Sequence, residues 1–197
     1  MVLFFLSGLC SADNASSITI IANPGSFKTI EEAAVSEEQV NWWDDQLSDD
    51  RACTECFSAT QLAHFLAQIT SYSKDDIIFE SPDKLPTKGY VFLVGSRQSN
   101  PLIASFDMPD NMELKTDESF AIYTIKQDNR IITVIEGKDR VGALYGVYGY
   151  LQQLGMRFYG LGEKEGPRAG QTVSIPYLIY GGLDDQKNQI THVRTED

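Results

Sequence analysis

The sequence is poor in the groups on which most active-site chemistry depends. It holds two histidines and three cysteines in 197 residues. A structural zinc site needs about four ligands, and Cys53-Thr54-Glu55-Cys56 has no second pair to complete one. There is no Gly-x-Ser-x-Gly elbow, and His64 and His192 fall in no recognisable pairing, so nucleophilic catalysis finds little support. A P-loop is lacking, as is an Asp-x-Asp-x-Asp-Gly loop for calcium. No metal or cofactor is expected. No apolar run approaches the ~20 residues that span a bilayer. Positive charge is scarce: 16 basic residues face 28 acidic ones, a formal charge of −12. That sign disfavours nucleic acid and anionic lipid as partners. The length falls short of the about 250 residues usual for a (β/α)₈ barrel.

What is present is an ordinary globular composition, 42% hydrophobic and 22% charged. The acidity is local. Nine acids and one base, Arg51, lie between Glu31 and Glu55. This stretch reads as an acidic insertion, a solvated loop or helix face. Val2 to Leu9 is mostly apolar and is followed by the small residues Ser11 and Ala12, so residues 1–12 read as a secretory signal segment. The expected location is secreted, periplasmic or cell-surface. Asn14-Ala15-Ser16 fits the glycosylation pattern.

Local patterns place the elements. Ile18 to Ala22 is a short β-branched strand, stopped by Asn23-Pro24-Gly25. Phe57 to Ser71 has helical period, with a capping box at Ser58/Gln61 and a hydrophobic staple at Phe57/Leu62. Tyr90 to Val94 is a continuous apolar run, as for a strand covered on both faces. Phe120 to Lys126 and Arg130 to Ile135 read as a hairpin, and Gln98 to Asp117 as a long surface connection. A second helix runs from Arg140 to Leu154, capped by Asp139 and stopped by Gly155. Val141, Leu144, Tyr145, Tyr148 and Leu151 follow its period. Gly142, Gly146 and Gly149 share one face, which predicts a close backbone approach. The expected fold is α+β: a mixed β-sheet with two amphipathic helices packed on one face, over residues 13–176. Residues 177–197 read as a tail or the start of a linker.

Three groups of residues invite a functional reading. Cys53 and Cys56 read first as a local disulfide, then as free buried thiols; a thiol redox pair is a weaker alternative, because no strand precedes them. Trp42 and Trp43 are candidates for stacking on a sugar, against an ordinary role at the edge of a core. Arg140 sits where a helix N-terminus disfavours a cation, so it should have a specific acceptor. No catalytic residue is assigned.

Two stretches carry a family resemblance. They are Ser58 to Thr70 with the strand ending Val94-Gly95, and Gly137-Lys138-Asp139-Arg140-Val141-Gly142-Ala143-Leu144-Tyr145-Gly146 running on to Met156-Arg157-Phe158-Tyr159. Both resemble the N-terminal accessory domain that precedes the catalytic barrel in α-glucuronidases, β-N-acetylhexosaminidases and related glycoside hydrolases. The resemblance implies a sandwich without catalytic acids, beside a barrel for which this length leaves no room. It makes Arg140, Tyr145, Tyr148 and Tyr159 candidates for an interface with that domain. A free-standing carbohydrate-binding or interaction module is the competing expectation.

Overall fold

A computed structural model describes residues 17–110, 112–160, 163–165, 179–183 and 189–192. Residues 1–12, read as a signal segment, and the Asn14 sequon lie outside the described residues, as does the side chain of Tyr159.

The strands are β1 (Ile18–Ile21), β2 (Ile77–Glu80), β3 (Lys88–Ser96), β4 (Phe120–Gln127), β5 (Asn129–Gly137), β6 (Arg157–Gly160), β7 (Glu163–Glu165), β8 (Ile179–Leu183) and β9 (Gln189–His192). The helices are α1 (Ile30–Ala34), α2 (Leu47–Ile69), α3 (Pro101–Ala104) and α4 (Arg140–Gln153). One mixed sheet has the order β2-β1-β3-β5-β4-β8-β9, and β6 pairs with β7 separately. β2, β1, β3 and β5 are mutually parallel, and β4 closes an antiparallel hairpin with β5. β8 and β9 fall in the segment read as a tail, and pair along the β4 edge.

The alternation of β-branched residues divides the core between two faces. Ile18, Ile20, Phe92, Val94, Ile122 and Ile135 meet α1, α2 and α4 on one side. Ile21, Val91, Leu93, Tyr123, Ile132 and Val134 bury the other side against Ile103 of α3 and Met112. The α+β expectation, with both long helices on one face, therefore holds. The connection from Gln98 to Asp117 is more than a surface link, since it covers the second face of the sheet.

α2 differs from its sequence expectation. It begins at Leu47 rather than near Ser58, so the capping-box and staple residues lie in mid-helix. Ser58 Oγ donates instead to the carbonyl of Thr54, 2.7 Å away. The acidic stretch thus supplies α1 and the first turns of α2. A capping signature is local, and a helix that buries Ala52, Cys53 and Cys56 upstream of it overrides it.

In α4 the expected ends are found. Asp139 Oδ1 accepts from the Gly142 amide at 2.8 Å, and Gly155 has φ +97°. The buried face carries Gly142, Ala143, Gly146, Val147, Tyr150 and Leu151, while Tyr145 is exposed. A Cβ on Gly142 would stand 2.3 Å from the Ser119 carbonyl oxygen, and one on Gly146 would stand 2.7 Å from Ile135 Cγ2. The glycine face presses the helix onto β4 and β5, which turns the larger Tyr145 outward.

Candidate functional site at the carboxyl ends of the parallel strands

Four parallel strands bring their C-terminal ends to one edge of the sheet. There the chain leaves β1 at Asn23, β3 at Arg97 and β5 at Lys138. After β1 and β5 it turns to the helical face; after β3 it turns to the opposite face, toward α3. Adjacent connections that part in this way open a crevice, the usual place for a ligand in a parallel sheet. Two such crevices flank the loop after β3. The smaller, about 120 Å³, is lined by Asn23, Gly25, Ser48, Arg51, Gln98 and Ser99 among others. The larger, about 430 Å³, is lined by Arg97, Met108, Leu114, Glu136 and Lys138 among others.

Three carboxylates near this edge are buried, and two of them, Asp50 and Glu55, belong to the acidic stretch that reads as solvated in the sequence. Glu55 is fully buried and accepts from Ser99 Oγ at 2.5 Å. Its Oε2 occupies the space beside Gly95, where a Cβ would come within 2.7 Å, while its Oε1 has no hydrogen-bond partner. Burial pushes the Glu55 carboxyl up to about 7, against the pull of hydrogen bonds from Ser99 and Ser96. Glu136 is 2% exposed and is held by Arg97 through Nε at 2.6 Å and Nη2 at 3.2 Å, with the Tyr123 hydroxyl at 3.2 Å. Burial raises its carboxyl too, opposed by Arg97. Asp50, also buried, lies 3.9 Å from Arg140 Nε.

Arg140 has the acceptor that its position requires. Its Nη1 donates to Thr54 Oγ1 at 3.2 Å, and its guanidinium lies 4.9 Å from the centre of the Trp42 ring. Tyr148 lies on the same side of α4, its hydroxyl donating to Gln61 Oε1 at 3.4 Å and its ring packed edge-on to Phe158. These contacts tie α4 to α2. Tyr145 and Trp43 stay outside them, Trp43 being 96% exposed. Of the two tryptophans, Trp42 has Arg140 against its ring and Trp43 is open to solvent.

Cys53 and Cys56 are both free and buried, which corrects the disulfide reading. They lie inside α2, where Cys56 Sγ is 3.5 Å from the carbonyl oxygen of Asn23 and is thereby directed at β1's exit. Burial pushes both thiols up. That direction is opposite to the lowered pKa of a redox cysteine.

Helices on one face of a mixed sheet, with its polar crevices at one edge, define an α+β domain. Residues 58–150 match the family described as glycosyl hydrolase family 67 N-terminus. The matched stretch runs from the middle of α2 through β5 and nearly all of α4, and is similar to the N-terminal domain of those α-glucuronidases, as the two motifs implied. The acidic stretch from Glu31 to Glu55 lies outside it. No curated protein matches the chain.

Proposed function

We propose that this domain is a non-catalytic accessory unit that packs beside the catalytic barrel of a family 67 glycoside hydrolase. The observation that carries the reading is the family match over residues 58–150, which takes in the second half of α2 and most of α4. The chemistry supports it. Glu136 has both oxygens engaged by Arg97 and Tyr123, Asp50 is paired with Arg140 at 3.9 Å, and Glu55 is fully buried against Ser99. The outer side of the helix pair supplies the contact surface. Phe57, between the two α2 residues that meet α4, is 39% exposed, and Tyr145 is 46% exposed. With Trp43 they offer aromatic anchors of the kind enriched in interfaces. The apolar stretch from Val2 to Leu9 supports an exported location.

The test uses the 197-residue chain and a separately produced family 67 barrel. The chain alone should release no product from p-nitrophenyl α-D-glucuronide. It should bind the barrel and raise its Tm, and Tyr145→Ala with Phe57→Ala should weaken that association. Turnover by the chain alone, or no association with the barrel, would overturn the reading.

The exposure of Trp43 favours one second reading, a free-standing carbohydrate-binding module. Glycan binding that is lost in Trp43→Ala but kept in Tyr145→Ala would support it over the first.

A further inference from the structure

The larger crevice, between the exits of β3 and β5, is about 430 Å³, within the usual range for a small-molecule site. Met108, Pro109 and Leu114 give it an apolar wall, and Arg97, Gln98, Glu113, Glu136 and Lys138 give it polar groups. The arrangement of Arg97 is specific. Glu136 engages it side-on, through Nε and one hydrogen of Nη2. Glu136 is itself fixed by burial and by the Tyr123 hydroxyl. A guanidinium has five N–H donors in a rigid fork. Side-on engagement by Glu136, with the Tyr123 hydroxyl also bonded to the guanidinium, leaves Nη1 for another acceptor. The Arg97 side chain is 35% exposed, so this nitrogen is accessible.

The charges around the crevice point the same way. Arg97 is balanced by Glu136, and Glu113 lies 3.8 Å from Lys115. Lys138 is exposed and has no side-chain partner among the described residues. Among the lining residues Arg97 and Lys138 stand against Glu113 and Glu136, and Lys138 is the cation without an ion-pair partner among the described residues.

We propose that the crevice between the exits of β3 and β5 binds a small organic carboxylate with an apolar face. Arg97 takes the carboxylate through Nη1 and Lys138 supplies the second cation. The ligand's ring or chain lies along Met108, Pro109 and Leu114. Glu136 is a positioning residue that orients Arg97 and does not touch the ligand. The site is independent of any role beside a catalytic barrel.

The experiment is a titration of the ¹⁵N-labelled chain followed by amide shifts. The probes are cyclohexanecarboxylate, D-glucuronate and, as the uncharged control, cyclohexanecarboxamide. Both acids, or one of them, should shift the amides of Arg97, Gln98, Gly137 and Lys138 in a saturable way. Saturation by D-glucuronate alone assigns the site to sugar acids, and by cyclohexanecarboxylate alone to hydrocarbon acids. The amide should bind about tenfold more weakly or not at all, since the charge-assisted bonds are lost. Arg97→Gln should abolish saturation. Lys138→Gln, at an exposed position that leaves the fold intact, should weaken it several-fold and flatten its dependence on salt. Equal binding of acid and amide, full binding by Lys138→Gln, or no saturation by either acid up to solubility would overturn the proposal.

Discussion

Ser99 Oγ lies 2.5 Å from Glu55 Oε2, joining the loop after β3 to the middle of α2 across 44 positions of sequence. The carboxyl is fully buried, with the Ser99 and Ser96 hydroxyls and the Ser96 backbone as hydrogen-bond partners and Arg51 as the charge acting on it. Its ionisation is therefore coupled to stability. The folded-state value near 7 lies above the ordinary 4.5. The unfolded chain loses this proton first, so the contribution is complete below about pH 4.5 and is lost as pH rises toward 7. The size is about 3 kcal/mol. Urea unfolding from pH 4.5 to 8 should show stability falling over this window. Glu55→Gln, which keeps the shape and an uncharged carbonyl, should remove most of the slope. An equal slope in the variant would contradict the assignment.

The glycine face of α4 should show graded sensitivity. A Cβ on Gly142 meets a backbone oxygen at 2.3 Å, whereas one on Gly149 meets only the tip of the Phe120 ring at 3.0 Å. Alanine gains about 1 kcal/mol of helix propensity over glycine at either site. Gly142→Ala should still lose about 1–3 kcal/mol through overpacking against an immovable carbonyl. Gly149→Ala should stay within about 1 kcal/mol of the parent, because the ring can give way. Denaturant midpoints of the two variants, measured side by side, check the order.

The two thiols of α2 should behave as packed side chains. Cys53 and Cys56 are 4% and 0% exposed, and both are pushed toward the protonated form. Iodoacetamide at pH 8 should modify them only when urea unfolds the chain. The non-reduced protein should show no loss of two mass units between these positions. Rapid labelling in the native state would place them in a more open α2 than this one.

Much of this fold is legible locally, and the site is not. The apolar run Tyr90 to Val94, the hairpin from Phe120 to Ile135 and the Asp139 cap are each written within about fifteen residues, and each is found. The start of α2 is hidden because its first turns read as acidic and solvated. Only the tertiary structure reveals that Asp50 and Glu55 face inward. The crevices are hidden for a related reason. They depend on parallel pairing between distant strands, such as Phe92 with Thr133, and on which face each connection takes. The available signal for Glu55 was Gly95 followed by Ser96 and Ser99, a bend with spare hydroxyls, but nothing in the sequence says which acid it receives.

The contact between Arg140 and Asp50 gives the sharpest test of how the helix pair is held. A cation at the N-terminus of α4 opposes the helix dipole, by about 0.3–1 kcal/mol. Its position is explained by the buried Asp50 carboxylate 3.9 Å away, by Thr54, and by the Trp42 ring beneath the guanidinium. Asp50 Oδ1 has no hydrogen-bond partner, so Arg140 is the main compensation for that charge. Arg140→Met should therefore lose about 1–3 kcal/mol, leaving the carboxylate buried and uncompensated. Asp50→Asn in the same chain should recover part of the loss, which is the signature of a coupled pair. Trp42→Ala should have the smaller effect, because an exposed cation–π contact is worth about 0.5–1 kcal/mol. A double-mutant cycle on Arg140 and Asp50 that came out additive would mean that this ion pair does not hold α4 to α2.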